Sequence, residues 1–316
     1  MDLEIKLLKK NCKIKNINVF DHGKNTMFVF DDVVLSSNNK IVKNLKGTWM
    51  IINLVPDYFH TIKESVGSYL YYKKYIDSSV NLILLDLNSP EAPFHKAKKV
   101  IQELFMLLVK DNKDCFYINS DEFYSRGMQI EKLVVMYDGS RSIVNDSFPN
   151  FTQEKNGNNS VVREFLSKYM VEDLDKPKKI FISRRLVSKT LKEQGNFNSV
   201  SRYNPEWVEN SIEDFFKQHG YTILELSGMS LDDQIGYFYN ADYVAGQIGN
   251  GSINGIFCKP GTNFIFLKTH SWFHYPYHED IKQVIDANYT TVELYNNLNY
   301  DDITNKLITK LQNINF

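Results

Sequence analysis

A glycine-rich turn in the second half of the chain has the composition of a phosphate-binding loop. Gly246, Gly249 and Gly251 follow a predicted strand and precede the predicted helical segment 252–258. Glycines let the backbone turn tightly, and they let a phosphate approach the bare N–H groups at the start of a helix. A tight strand-to-helix turn that binds nothing would show the same GxxGxG spacing, so this motif alone leaves both interpretations open.

Two neighbouring arginines favour the phosphate interpretation. Arg184 and Arg185 come directly after the predicted strand 179–183, and Arg202 is nearby in the sequence. Because parallel strands end at the same edge of a sheet, the arginines are expected beside the glycine turn. Guanidinium groups suit bidentate contacts with phosphate oxygens. The pattern predicts a site for a ligand that carries a diphosphate, and the alternative is a pair of surface charges.

A histidine between two carboxylates in the first half is the candidate for acid–base chemistry. His60 and Glu64 are four residues apart in the predicted helix 57–76, so they share a helix face, and Asp57 stands at its start. A histidine beside a carboxylate near a cleft is a reasonable general base. The alternative is a structural histidine, with Asp57 as the helix cap.

The elements that would position these residues alternate between strand and helix, which predicts an α/β fold with a doubly wound parallel sheet. In the second half, Asn204-Pro205-Glu206 begins a helix that Gly220 ends, and Ser230 with Asp233 begins the next. The predicted strands lie at residues 179–183, 221–226, 242–245 and 263–267. Residues 13–46 are predicted to form short strands and turns, with strand signals at NVF, MFVF and VVL. The rest of the first half has predicted strands at 49–55, 80–85 and 133–137 and helices at 57–76 and 94–109.

A polar stretch at residues 145–160, rich in Asn, Gly and Ser, is predicted to be a loop between two domains. We expect an N-terminal α/β domain at residues 1–150 and a C-terminal Rossmann-like domain at 161–316. The ligand is expected in the cleft between them, at the carboxyl ends of the strands.

The composition excludes several classes of protein. The 37 Lys and Arg residues nearly balance the 38 Asp and Glu residues among 316, which argues against a dedicated nucleic-acid binder. No apolar run is long enough for a transmembrane helix, and the first residues lack the apolar core of a signal peptide. Three dispersed cysteines are typical of reduced thiols, so we expect a cytoplasmic protein, in the host cytoplasm if its origin is viral. The sequence carries no indication of the oligomeric state.

The order of motifs in the second half resembles the C-terminal domain of glycosyltransferase family 61, which includes xylosyl- and N-acetylglucosaminyltransferases. The segment 57–64, DYFHTIKE, resembles the N-domain signature of the same family, and the resemblance extends over about residues 50–267. The matching positions in the second half are Ser183-Arg184-Arg185, Arg202 with Asn204, Glu225, Gln234, Ala241-Asp242, Gly246, Gly249, Asn254, Phe257 and Pro260-Gly261.

The resemblance implies a GT-B architecture, in which two Rossmann-like domains face each other across a cleft. It implies inverting transfer from a nucleotide sugar, usually a UDP-sugar, to a glycan hydroxyl, without a cofactor or a metal ion. The N-terminal domain would hold the acceptor, with His60 as the base and Asp57 or Glu64 as alternatives. The donor would bind to Arg184, Arg185, Arg202, Glu225, Gly249, Asn250, Gly251, Ser252 and Asn254.

Two departures from the family pattern keep other functions open. Ile248-Gly249-Asn250 stands where the family commonly has His-Gly-Ala, and Phe266 stands in place of a glutamate. The loss of two polar groups allows a non-catalytic nucleotide- or sugar-binding protein. A nucleotide-sugar epimerase or dehydrogenase with bound NAD is less favoured, because the YxxxK spacing from Tyr69 to Lys73 precedes the glycine motif. His270, His274 and His278 have a metal-like spacing, but Pro276 interrupts any helix there, so no metal site is predicted.

Overall fold

The computed structural model describes residues 12–13, 16–22, 25–35, 43–54, 58, 61–86, 99–112, 114–119, 127–136, 158–185, 206–268, 277–282, 284–293, 305 and 309. The chain divides into two compact units, Met1–Phe165 and Leu166–Phe316. Both units combine helices with parallel strands, so the predicted α/β class is confirmed. In the described parts of the chain, no helix has the length and apolar character needed to cross a bilayer.

The N-terminal unit is built on a seven-stranded mixed sheet in the order β1-β3-β7-β4-β5-β6, with β2 also paired to β3. Strands β7, β4, β5 and β6 run parallel, whereas β3 is antiparallel to β7. The strands are β1 (Cys12–Lys13), β2 (Asn16–His22), β3 (Asn25–Leu35), β4 (Lys43–Asn53), β5 (Asn81–Asp86), β6 (Cys115–Asn119) and β7 (Met128–Met136).

The short strands predicted within residues 13–46 are confirmed for the described part, where NVF lies in β2 and where MFVF and VVL lie in one longer strand, β3. Strands β2 and β3 form an antiparallel pair, and β3 also pairs with β7, about a hundred residues further along the chain. Phe30 and Val33 of β3 are buried, so this strand forms part of the core. Local sequence does not encode so distant a partner, because strand propensity depends on what the strand packs against.

The four parallel strands of this unit have the order of a nucleotide-binding half. Numbered along the chain from β4, they lie in the order 3-2-1-4, and the order reverses between β4 and β7. In open α/β sheets, ligands bind at the carboxyl ends of the strands beside such a topological switch point. Strand β4 ends at Asn53, and the segment 57–64 with His60 comes directly after it in the sequence.

The absence of a side chain at Gly67 allows two helices of this unit to pack closely. A π-helical turn at Thr61–Val66 leads into α1 (Gly67–Tyr75), which is followed by α2 (Lys99–Asp111) and α3 (Asn158–Phe165). A Cβ atom on Gly67 would lie 2.7 Å from the Ile62 carbonyl oxygen and 2.8 Å from the Asn158 Cβ. Asn158 Nδ2 also donates to Ser68 Oγ at 3.1 Å.

The loop predicted for residues 145–160 is therefore wrong at its end. Helix α3 begins at Asn158, because the packing against α1 outweighs the low local propensity of the Asn-rich sequence. The remainder of that stretch lies outside the described residues.

The C-terminal unit contains a five-stranded sheet in which every pairing is parallel, as predicted for the second half. The order is β12-β11-β10-β8-β9. The strands are β8 (Lys179–Ile182), β9 (Thr222–Leu224), β10 (Tyr243–Gln247), β11 (Asn263–Lys268) and β12 (Asn288–Glu293). Strand β12 is not predicted from the sequence, because Val292 is its only buried residue and its polar composition resembles a loop.

Helices cover both faces of this sheet. Phe216 of α4 (Glu206–Gln218) stacks on Phe181 of β8, with ring centroids 4.6 Å apart, in a core that includes Ile265. The opposite face meets the 3-10 helix Asn250–Phe257, where a Cβ on Gly255 would lie 3.0 Å from the ring of Phe264. The remaining helices are a 3-10 turn at Ser167–Tyr169, α5 (Leu231–Asn240) and α6 (Tyr277–Lys282).

Two predicted helix boundaries of this unit are confirmed. The Ser230 hydroxyl accepts the Asp233 N–H at 3.1 Å, which caps α5 as the Ser-x-x-Asp spacing indicates. Gly220, which follows α4, has a φ of 81°, the left-handed conformation that ends many helices. Asn204 and Pro205, predicted to begin α4, lie outside the described residues.

A glycine-to-alanine pair tests the packing of α3 on α1. Gly67→Ala should lower the free energy of unfolding by about 1–3 kcal/mol, because backbone atoms must move to admit the methyl group. Gly236→Ala is the matched control: its Cβ would lie 3.6 Å from Lys176 Cε, an ordinary contact within α5. The control should gain about 0.5–1 kcal/mol from helix propensity. Urea denaturation measures both values, and equal effects would contradict the proposed packing.

Candidate functional site

The strand order of the C-terminal unit identifies one edge as the place for a ligand. Numbered along the chain from β8, the strands lie in the order 2-1-3-4-5, which reverses between β8 and β10. The two segments that leave the sheet at this switch point are residues 183–185 and the glycine turn after Gln247. Ligands of doubly wound sheets bind in the crevice outside such strand ends.

Arg184 and Gly249, predicted separately from the sequence, are in direct contact at this edge. Arg184 Nη1 donates to the Ile248 carbonyl oxygen at 2.9 Å. A Cβ on Gly249 would lie 2.8 Å from the same nitrogen. Gly249 has an extended backbone, with φ 176° and ψ −176°, which any residue can adopt. A side chain here would therefore displace the Arg184 guanidinium from its present position against the turn.

Some N–H groups of the turn are used within the turn itself. Gly249 donates its N–H to Ser252 Oγ at 3.3 Å, and Ser252 donates its N–H to the Gly249 carbonyl at 2.8 Å. Asn250 and Gly251 are the first two residues of the 3-10 helix. Because the first N–H groups of a helix have no acceptor within it, these two are the backbone donors of the turn best suited to an anion.

Asn254 and Gln234 form a buried amide pair below the turn. Asn254 Nδ2 donates to Gln234 Oε1 at 2.9 Å, and Gln234 Nε2 donates to the Leu226 carbonyl at 3.1 Å. Asn254 is fully buried and Gln234 nearly so. The pair joins the 3-10 helix, α5 and the segment after β9, so this contact of Asn254 supports the turn from within the unit.

The Ser183 hydroxyl lies between two carboxylates at the end of β8. Ser183 Oγ is 2.6 Å from Glu213 Oε1 and 2.7 Å from Glu225 Oε1. A hydroxyl has one proton, so it donates to one of these two oxygens at a time. Its oxygen also accepts the Arg185 N–H at 3.2 Å. Glu225, predicted from the sequence, is thus close to the arginine segment.

Glu213 belongs to the same cluster and is missed by the sequence analysis. Its Oε2 lies 3.4 Å from Arg185 Nη1. One helical turn earlier, Glu209 Oε2 accepts from Gln247 Nε2 at 2.5 Å, at the end of β10. Both glutamates are buried. Their spacing of four residues, on the side of α4 that also carries Phe216, is the signal that identifies them in retrospect.

Three predicted site residues, Asp57, His60 and Arg202, lie outside the described residues. Glu64 belongs to the π-helical turn Thr61–Val66 of the N-terminal unit. Phe266 is buried, and its ring stacks with that of Phe264 at 5.6 Å.

The YxxxK spacing in the N-terminal unit forms a structural contact. The Tyr69 hydroxyl donates to the Val80 carbonyl at 3.2 Å or to Asn112 Oδ1, which also accepts from Lys73 Nζ at 2.9 Å. Burial raises the pKa of Tyr69 well above its usual range, opposite to what a catalytic tyrosine needs. Val80 precedes β5, so the contact lies at the amino-terminal edge of the sheet, away from the switch point.

No group of three or more His, Cys, Asp and Glu residues that could hold a metal ion occurs within the described ranges. The side chains of the candidate donor site are instead two arginines, carboxylates, amides and a hydroxyl.

A family model for glycosyltransferase 61 matches residues 58–265. The chain belongs to this family. The matched region of this family 61 glycosyltransferase includes His60, Glu64 and every predicted donor residue from Arg184 to Asn254, and Asp57 directly precedes it. The resemblance recognised from the motifs is confirmed, and family membership implies a sugar donor and an acceptor. No curated protein matches the chain at a significant level.

Replacement of Asn254 tests the amide pair of this glycosyltransferase. Asn254→Ala should lower the free energy of unfolding by about 1–3 kcal/mol, because the buried Gln234 Oε1 loses its hydrogen-bond donor. Asn288→Ala is the control, since Asn288 is exposed and donates to Asn263 Oδ1 at 3.0 Å on the surface. It should change stability by less than about 0.5 kcal/mol. Equal losses in chemical denaturation would contradict a supporting role for Asn254.

Proposed function

We propose that the protein is an inverting glycosyltransferase of GT-B architecture that needs no metal ion. It transfers a sugar from a UDP-sugar to a hydroxyl group of a glycan. The observation that carries this proposal is the contact of Arg184 with the Ile248–Gly249 turn at the switch point between β8 and β10. It combines a cation, a glycine turn and a helix start within the region matched by the family.

In this mechanism the C-terminal unit stabilises the leaving diphosphate. The Asn250 and Gly251 N–H groups and the guanidinium groups of Arg184 and Arg185 contact its oxygens, with Arg202 as a further cation. Charge that develops on the leaving group is stabilised by donors fixed in advance, which is the largest contribution in many enzymes. Arginines and a helix start thus supply the positive charge that a metal ion supplies in other transferases.

Glu225 is the proposed contact with the nucleoside. It directly follows β9, the second strand of the unit, and an acidic residue at the corresponding position of dinucleotide-binding folds accepts hydrogen bonds from ribose hydroxyls. The proximity of Ser183 Oγ, at 2.7 Å, supports a fixed orientation of this carboxylate.

The N-terminal unit is proposed to bind the acceptor. His60 follows β4, a strand beside the switch point of its sheet, and directly precedes the π-helical turn Thr61–Val66. Such turns are frequent at functional sites. The imidazole removes the proton of the acceptor hydroxyl as its oxygen attacks the anomeric carbon. A single in-line displacement then inverts that carbon, and Asp57 and Glu64 are the alternative bases.

A second candidate function is nucleotide-sugar binding without transfer. The burial of Phe266 in an aromatic stack favours it, because the family commonly has a glutamate at this position. This alternative predicts that UDP binds and that no sugar is transferred.

Variants of the three candidate bases test the proposed activity. His60→Ala should reduce kcat about 10²–10⁴-fold, the usual contribution of a general base, and leave UDP affinity unchanged. Asp57→Asn and Glu64→Gln are the matched variants and should retain most of the activity. The assay measures UDP release from a panel of UDP-sugars in the presence of glycan acceptors, with UDP affinity measured by calorimetry.

Transfer by His60→Ala at the wild-type rate would exclude this histidine as the base. Binding of UDP by the wild-type protein without any transfer would instead support the non-catalytic alternative.

A further inference from the structure

Glu213 is a buried carboxylate on a helix whose buried apolar residues pack into a hydrophobic core. It lies on α4 and is 6% exposed. Removing a carboxylate from water is costly unless it is paired and hydrogen-bonded. Its neighbours in the core, Ile212 and Phe216, are apolar. Residues that violate the local pattern in this way are expected at functional sites.

The contacts of Glu213 converge on Arg185. Its Oε2 lies 3.4 Å from the guanidinium Nη1. Its Oε1 accepts from Ser183 Oγ at 2.6 Å, and this same hydroxyl oxygen accepts the Arg185 N–H at 3.2 Å. Glu213 therefore restrains Arg185 at both ends, directly at the side chain and through Ser183 at the backbone.

Arg185 needs such restraint if it is to act at a fixed place. Half of its side chain is exposed, and a long exposed side chain samples many rotamers. Asn210 Oδ1, three residues before Glu213 on α4, lies 3.3 Å from the same Nη1. The two acceptors hold the guanidinium beside the middle of α4.

We propose that Glu213 is a positioning residue, which holds Arg185 in the orientation that binds the diphosphate of the donor. The proposal rests on the proposed function. Glu213 itself does not touch the donor in this account. It acts by removing, before the donor arrives, the rotamer freedom that Arg185 would otherwise lose on binding.

The negative charge of Glu213 has an opposite effect, because it repels an anionic ligand. Glu213→Asp separates the two effects. It keeps the charge but withdraws the carboxylate by about one C–C bond, about 1.5 Å, which breaks the contacts with Arg185 and Ser183. A purely electrostatic role predicts unchanged binding, and a positioning role predicts weaker binding.

The experiment is calorimetric titration with inorganic pyrophosphate and with UDP, both in EDTA. Pyrophosphate reports the diphosphate site whatever the nucleoside. Glu213→Asp should weaken binding of both probes about 3- to 10-fold, where tenfold corresponds to about 1.4 kcal/mol. In an Arg185→Ala background the same substitution should have no further effect, because it acts through Arg185. Glu172→Asp is the control, since Glu172 pairs with Lys259 at 2.7 Å on the surface.

The proposal would be overturned if Glu213→Asp bound pyrophosphate and UDP with wild-type affinity. It would also be overturned if Glu213→Asp weakened binding in the Arg185→Ala background as much as it does in the wild-type protein. If Glu213→Asp does not fold, Glu213→Gln serves the same test: loss of the negative charge strengthens binding of both probes if the charge only repels them, and weakens it if the ion pair with Arg185 orients the guanidinium. Failure of the wild-type protein to bind either probe would overturn the proposed function, and the role of Glu213 with it.

Discussion

The hydrogen bond from Arg184 to the Ile248 carbonyl joins the two segments that leave the sheet at its switch point. Residues 183–185 follow β8 and the glycine turn follows β10, and only the parallel order of these neighbouring strands brings both to one edge. The guanidinium then occupies the space that a side chain at position 249 would need. This contact thus links the arginine segment to the glycine turn, which its own Gly249–Ser252 hydrogen bonds also hold.

Several buried polar side chains lie at this same edge of the sheet. Burying a polar group costs free energy unless the group is hydrogen-bonded. Ser183, Glu209, Glu213 and Gln247 form hydrogen bonds between α4 and the ends of β8 and β10. Gln234 and Asn254 do the same between α5 and the 3-10 helix. Such contacts hold groups in place before a ligand binds, which is how a site stabilises developing charge without reorganising.

The secondary structure of the second half is predicted well from the sequence, because local signals determine where its helices and strands begin and end. Ser230 caps α5, Gly220 ends α4, and apolar runs mark the buried parallel strands. Partners distant in the chain are not predictable in this way. The pairing of β3 with β7 joins residues far apart in the chain, the start of α3 depends on Gly67, and β12 has only one buried residue. For the site, arginines and glycines are recognisable by type, whereas Glu213 resembles any charge on an amphipathic helix until its burial is known.

A crystal structure of the protein with UDP, grown in the presence of EDTA, tests whether the donor diphosphate binds at this edge without a metal ion. Diphosphate oxygens are expected within hydrogen-bond distance of the Asn250 and Gly251 N–H groups and of the Arg185 guanidinium. The ribose is expected at Glu225. A diphosphate bound elsewhere, or bound only through an added divalent ion, would contradict a metal-independent donor site at the switch point between β8 and β10.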